Sequence, residues 1–211
     1  MRKKIISEKI SDIDVIIFDL DLTLYYNIEF ADENARLCFQ YIADSIGQTF
    51  EFVESKYKEI GSINLTLTYY NLTMDDCFTY ANPKLDPYQY ISTNKVLRKY
   101  LLGLKETGYK LAVATNNSIY MVPKVLDAIG IMDCFDYVTC AQSAGKGKPH
   151  PKMFNEILNY FGVLPAKVLS VGDNQRKDLD CATSVGITKG ILVKGPTDLM
   201  NKLNSYLKNK D

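Results

Sequence analysis

The stretch IIFDLDLTLYY, residues 16 to 26, ends an apolar run in two carboxylates, Asp19 and Asp21, with Thr23 following at the same spacing. Charge is costly to take out of water, so a buried strand ending in two aspartates needs something to balance them. Three more groups of reactive side chains lie at or near the ends of other apolar runs. They are TNN (Thr115, Asn116, Asn117), GKGKPHPK (Lys146, Lys148, His150, Lys152) and GDNQRKD (Asp173, Asn174, Asp178). Taken singly, each also reads as a turn, a helix cap or a solvated loop. Taken together they describe one chemistry. Clustered carboxylates repel and keep protons unless a hard cation sits among them, and Mg²⁺ prefers a few carboxylates, water and a phosphate oxygen. Thr115 and Lys148 would then offer a hydroxyl donor and a point positive charge to the other phosphate oxygens. In such a site Asp19 is a nucleophile that a metal and a lysine keep ionised. His150, between two prolines, reads as a loop residue rather than a second acid.

These groups must be brought together by the elements that carry them. Residues 14–18 (DVIIF), 110–114 (KLAVA), 167–171 (KVLSV) and 188–193 (TKGILV) read as buried strands, with 136–140 (DYVTC) a fifth. Helical faces recur between them: Val96, Leu97, Tyr100, Leu101 and Leu104; Ile119, Val122, Leu126 and Ile129; Phe154, Ile157, Leu158 and Phe161. Gly108, Gly130 and Gly162 stand where helix C-termini call for a left-handed residue. Strands alternating with helices of this length specify an α/β fold, a doubly wound and mostly parallel sheet. In such a sheet, ligands sit beyond the carboxyl ends of the strands. Residues 27–92 break the alternation: they show helix-like patterns such as ENARLCFQYIADSIG and FEFVESKYKEIG, and no convincing strand. The expectation is a core of residues 1–26 and 93–211 with a small helical cap domain, 27–92, inserted after the first strand, and ANPKLDPYQYIS as the returning linker.

Composition narrows the classes of partner. Over 211 residues, Lys+Arg 25 balances Asp+Glu 25, for a net charge of +0, where a protein that grips a nucleic-acid backbone would show a basic excess. Hydrophobic residues make up 46%, ordinary for a globular chain with a sizeable core. The basic N-terminus MRKKIISEKISDID is interrupted by Ser7, Glu8 and Lys9 before any leader-like apolar run can form, and no stretch approaches the length of a membrane span. Cys38, Cys77, Cys134, Cys140 and Cys181 are dispersed with no C-x-x-C pair, which reads as reduced buried thiols in a cytoplasmic protein. The expectation is a monomer or dimer, with no nucleic-acid polymer and no membrane as partner.

FDLDLTL, VATNN, GKGKPHPKMF and VGDNQRKDLDCATSVGI together resemble the motifs of the haloacid dehalogenase-like phosphohydrolases, over essentially the whole chain. The resemblance implies a Rossmann-like core and Mg²⁺. It makes Asp19 the nucleophile that forms an aspartyl-phosphate. It makes Asp21 the acid for the leaving oxygen and then the base for water, with its main-chain carbonyl on the metal. Thr115 and the Asn116 amide would hold the phosphoryl group, Lys148 would neutralise charge, and Asp173 would ligate the metal. Asp178 would orient Lys148 or a metal-bound water, with Asn174 in support. Position 22 is commonly Gly or Asn in this motif, and here it is Leu22. The aspartate at 21 is absent from the family's dehalogenases and favours a phosphatase or a phosphomutase. The insert looks like the family's type-1 cap.

The tyrosines and phenylalanines are concentrated between Tyr25 and Tyr90. A small helical bundle needs such residues in its core, and a base-stacking surface would use them too. FDLDLTLYY, LTLTYYN and LDPYQYISTNKVLRKYLLGLK look similar to the pyrimidine 5′-nucleotidase branch, which implies a nucleoside 5′-monophosphate as substrate with Tyr25 and Tyr26 beside it. Phosphatases of small metabolites such as phosphoglycolate or sugar phosphates, and β-phosphoglucomutase-like mutases, share the cap and remain alternatives.

Overall fold

The computed structural model describes residues 12–208. Residues 1–11, on which the reading of the N-terminus as no leader segment rests, lie outside the described residues. Five strands, β1 (Val15–Phe18), β2 (Lys110–Thr115), β3 (Tyr137–Cys140), β4 (Val168–Gly172) and β5 (Lys189–Leu192), form one parallel sheet in the order β3-β2-β1-β4-β5. The helices are α1 (Ile28–Ile46), α2 (Phe50–Ile60), α3 (Ile63–Tyr69), α4 (Met74–Ala81), α5 (Lys95–Glu106), α6 (Met121–Ile129), α7 (Ala141–Ala144), α8 (Lys152–Phe161), α9 (Cys181–Thr183) and α10 (Gly195–Lys208). The fold is the doubly wound α/β arrangement that the alternation specifies.

β1 is central. Ile17 pairs with Ala112 of β2 on one side and Ser170 of β4 on the other. A parallel strand covered on both faces must be apolar on both, and all four β1 residues are buried. Successive side chains alternate between faces. Ile16, Phe18, Leu111, Val113, Leu169 and Val171 therefore join Leu97, Leu101, Val125, Leu199 and Leu203 of α5, α6 and α10 on one face. Val15, Ile17, Ala112, Ala114 and Val168 join Phe154 and Ile157 of α8 on the other. Strand order reverses across β1, since β2 and β3 lie to one side and β4 and β5 to the other. The crevice beyond the carboxyl ends of β1, β2 and β4 is thus the place for a ligand.

The chain leaves β1 through a turn in which the Thr23 and Leu24 amides donate to the Leu20 carbonyl at 3.3 and 3.0 Å. It then forms α1 to α4, each started by a side-chain cap, from Asn27, Thr49, Ser62 and Thr73 in turn. These helices share an apolar cluster of their own that includes Cys38, Phe39, Ile42, Val53, Leu67 and Cys77. Phe30, Leu37, Ala81, Leu85 and Ile91 pack instead with the sheet's cluster. The segment that reads as a linker holds two short 3₁₀ turns, Asn82–Lys84 and Pro87–Gln89.

Two expected core residues lie outside. Val96 is on the outer face of α5, 67% exposed, because Leu97, Leu101 and Leu104 already fill the inner stripe. Ile119 precedes α6, in the turn after β2, and is also exposed. The five cysteines are buried free thiols. No helix among the described residues is long and apolar enough to cross a membrane.

Candidate functional site

Asp19 is the first residue beyond β1, and its amide still donates to the Val171 carbonyl of β4 at 2.9 Å. That bond fixes the carboxylate between the two strands. Asp19 is 8% exposed and Lys148 is 3% exposed. The Lys148 Nζ donates to Asp19 Oδ1 at 2.7 Å and to Asp178 Oδ1 at 2.5 Å. A buried lysine between two buried carboxylates leaves one negative charge in excess, and Asp173 adds another. Carboxylate oxygens of Asp19, Asp173 and Asp178 all lie within 4.8 Å of one another.

The electrostatics follow from burial. Desolvation pushes the Asp19 carboxyl up to about 8, against the Lys148 charge that would lower it and with help from Asp178 and Asp21. Desolvation also raises Asp173, and the Asp178 charge adds to the effect. Burial works against the Lys148 ammonium, but Asp178 and Asp19 outweigh it and hold its pKa above the ordinary lysine range. The lysine thus stays charged while the aspartates are short of positive charge. Three hard oxygen donors converging on a site with excess negative charge fit Mg²⁺.

Each member is held by its neighbours. Thr23 Oγ1 donates to Asp19 Oδ2 at 3.2 Å. The Asn174 amide donates to Asp178 Oδ2 at 2.9 Å, and the Asn174 side chain accepts from the Lys177 amide to start a π-helical turn over Gln175–Asp180. Asp178 fits there only because position 172 is glycine: a Cβ on Gly172 would lie 2.3 Å from the Asp178 Cγ. The loop carrying Lys148 is pinned by Asn116. Its Oδ1 accepts from the Lys148 amide at 2.6 Å, and its Nδ2 donates to the Lys148 carbonyl at 2.8 Å. The Asn116 side chain is therefore committed to the loop, which leaves its main-chain amide as the group able to meet a phosphoryl oxygen. Asp21 accepts from Tyr25 Oη at 2.6 Å, Thr115 Oγ1 at 3.2 Å and Asn117 Nδ2 at 3.2 Å. Asn117 stands in the TNN group without a role assigned from sequence, and its strand-end position was the available signal.

Leu22, directly after Asp21, has φ 58°, the left-handed region that costs a non-glycine residue roughly 1–2 kcal/mol. That conformation explains why Gly or Asn is the usual residue at this place in the motif.

Asp21, Asn116 and Asn117 open onto a cavity of ≈ 520 Å³ that lies between the strand ends and the helical insert. The insert contributes Asn34, Ser62, Asn64, Thr68 and Asp75, among others, and the core loops contribute Lys146 and Lys177. Its aromatic lining is Tyr57 and Phe78. Tyr25 and Tyr26, expected beside a substrate base, are not part of that lining. Tyr25 is buried beneath Asp21, and Tyr26 is 56% exposed on a separate groove with Lys194, Pro196 and Thr197. The physical reason lies in the turn after Leu20, which carries residue 26 toward Gly195 at the start of α10, where a Cβ would lie 2.9 Å from that of Tyr26. The remaining insert aromatics mostly pack on each other, as Phe39 does on Phe50 and Tyr57. His150 is exposed, its Nδ1 accepting from the Lys152 amide at 3.3 Å.

The haloacid dehalogenase-like hydrolase family model matches residues 16–191. A glyceraldehyde 3-phosphate phosphatase of Pyrococcus abyssi is 30% identical over 195 residues, 83% of this chain and 79% of that protein. A phosphoglycolate phosphatase of Pasteurella multocida is 40% identical over 98 residues, 44% of each chain. A HAD phosphatase from Thermococcus onnurineus has the same fold, with TM-score 0.63 at 20% identity over 92% of this chain and 98% of that one.

Proposed function

The chain belongs to the haloacid dehalogenase-like hydrolase family, and from that membership and the arrangement around Asp19 we propose that it is a phosphomonoesterase acting through an aspartyl-phosphate. The observation that carries this reading is the buried Lys148 Nζ between Asp19 and Asp178, at 2.7 and 2.5 Å, beside a third carboxylate. An Asp19 oxygen attacks phosphorus and the bond from phosphorus to the ester oxygen breaks. Asp21 protonates the departing oxygen. Water then attacks the phosphorus of the aspartyl-phosphate, Asp21 takes its proton, and inorganic phosphate leaves with the Asp19 carboxylate restored. Thr115 Oγ1 and the Asn116 amide hold the phosphoryl oxygens, and Lys148 balances their charge. Mg²⁺ held by Asp19, Asp173 and the Asp21 main-chain carbonyl would add Lewis-acid stabilisation of those oxygens.

The substrate is a small polar phosphorylated metabolite. Support comes from the amide, hydroxyl and lysine groups that dominate the cavity, and from relatives named for glyceraldehyde 3-phosphate and phosphoglycolate. The nucleoside monophosphate expected from the aromatic insert has less behind it, since Tyr25 and Tyr26 do not line the cavity. Residues 27–92 serve as the cap that closes it, over a core of 1–26 and 93–211.

The test is phosphate release with Mg²⁺ from 2-phosphoglycolate, glyceraldehyde 3-phosphate, hexose phosphates, and uridine and cytidine monophosphates. One of the small metabolites should exceed the nucleotides in kcat/KM by about tenfold or more, a difference of about 1.4 kcal/mol. Asp19→Asn should release no phosphate while keeping its thermal melt, because the amide keeps the shape but cannot attack. Nucleotides winning would restore the nucleotidase reading, and sugar phosphates interconverting without free phosphate would indicate a mutase.

A further inference from the structure

Asp21 must aim one oxygen at the departing group, and a carboxylate on a turn needs a partner to hold its other oxygen. Its three donors are not equivalent. Thr115 and Asn117 come from the end of β2, and Asn117 shares the cavity lining with Asp21. In the proposed mechanism Thr115 also meets the phosphoryl group. Tyr25 is different: it lies on the same turn as Asp21, is 5% exposed, and lines the groove beyond the cavity rather than the cavity itself. Its hydroxyl makes the shortest of the three bonds, 2.6 Å to Oδ1. Oδ2 has only the longer contacts, 3.2 Å from Thr115 and 3.4 Å from Asn117.

We propose that Tyr25 is the positioning residue for Asp21, holding Oδ1 from behind so that Oδ2 is left to handle the proton of the departing oxygen and then of water. The phenol is itself fixed. Its ring packs edge-on against Phe30 of α1 at 5.9 Å between centroids, and Phe30 packs against Tyr90 at 5.5 Å. Asn27 ties the two crossings of the chain together, its Nδ2 donating to the Tyr90 carbonyl at 2.7 Å. Tyr25 is thus seated where the chain leaves the core and where it returns, so the aim of Asp21 is set by the same residues that seat the insert. Burial first, and the Asp21 charge second, push the phenol well above its ordinary range. It therefore remains a donor at any working pH.

This inference rests on the phosphomonoesterase reading, and leaving-group dependence separates the two. The value of kcat/KM reports steps through departure of the alcohol. An alkyl ester needs a proton there, whereas p-nitrophenyl phosphate leaves as a stable anion and does not. Tyr25→Phe keeps the ring and removes only the hydroxyl. It should lower kcat/KM for the best alkyl ester of the panel about tenfold, part of the roughly 10²–10⁴-fold that an aimed acid supplies, and change p-nitrophenyl phosphate less than about twofold. On an Asp21→Asn background the same change should have no further effect, since Tyr25 acts only through Asp21. Equal losses for both esters, or an added loss without Asp21, would overturn the proposal and leave Tyr25 as packing. Should Tyr25→Phe fail to fold, the ratio of the two esters in Phe30→Leu decides, because that change loosens the ring and keeps the hydroxyl. A fall in the ratio supports the proposal and an unchanged ratio overturns it. If wild-type protein releases phosphate from neither ester, the phosphomonoesterase reading itself fails.

Discussion

Lys148 shows how much one side chain holds in place. Its ammonium touches Asp19 and Asp178, and all three are almost fully buried. Removing one partner from a buried ion group leaves uncompensated charge, which costs about 3–5 kcal/mol. Lys148→Met should therefore lose stability of that order at pH 8 as well as turnover. The loss should depend on pH. Asp19 has a folded pKa already raised above its unfolded value, so its ionisation opposes folding as pH rises from the unfolded value toward and past the raised one. Without Lys148 that opposition grows. The difference in urea unfolding free energy between wild type and variant should stay level below about pH 7 and widen as pH rises past about 8, where Asp19 ionises in the wild type but resists ionisation without Lys148. A pH-independent difference would contradict the pairing.

At the scale of elements, β4 and the π-helical turn after it form one device. The strand ends in Gly172, and the turn folds Asp178 back over that glycine. A methyl group there would have to displace Asp178, and overpacking of this kind typically costs about 1–3 kcal/mol. Gly172→Ala should lower the melting temperature and, because Asp178 positions Lys148, lower kcat more than it raises KM. A variant with wild-type kcat would show that the Asp178–Lys148 contact is dispensable. Ala at this place also fits a strand, so no backbone preference explains the glycine; only the approach of Asp178 does.

For the whole molecule, the sheet brings together carboxylates that repel when no cation is present. Mg²⁺ should raise the melting temperature, by the equivalent of about 2.7 kcal/mol at a concentration 100 times its dissociation constant. Cation and proton compete for Asp19 and Asp173, both of which burial raises. The Mg²⁺-induced shift should therefore be larger at pH 8 than at pH 5, as calorimetry with and without chelator would show. A shift that is absent, or larger at pH 5, would argue against these carboxylates as the ligands.

The sequence by itself determined the sheet and the chemical groups at its rim. Apolar runs of strand length that alternate with amphipathic helices call for a covered parallel sheet, and VIIF, KLAVAT and VLSVG all lie in one. Because ligands gather at strand ends in such a sheet, the groups at Asp19, Thr115, Lys148 and Asp173 are legible in the chain alone. What only the tertiary structure decided was direction. Whether Asn116 turns its side chain toward a ligand or toward the Lys148 loop depends on residues 32 positions apart. Tyr25 and Tyr26 are adjacent and alike in composition, yet one is buried with its hydroxyl on Asp21 and the other is exposed and makes no such contact with the site. No local pattern encodes that difference, because it arises from where the turn after β1 meets α1 and the start of α10. The same holds for the insert: its aromatic content is visible in sequence, but whether the rings face a ligand or one another depends on how four helices pack.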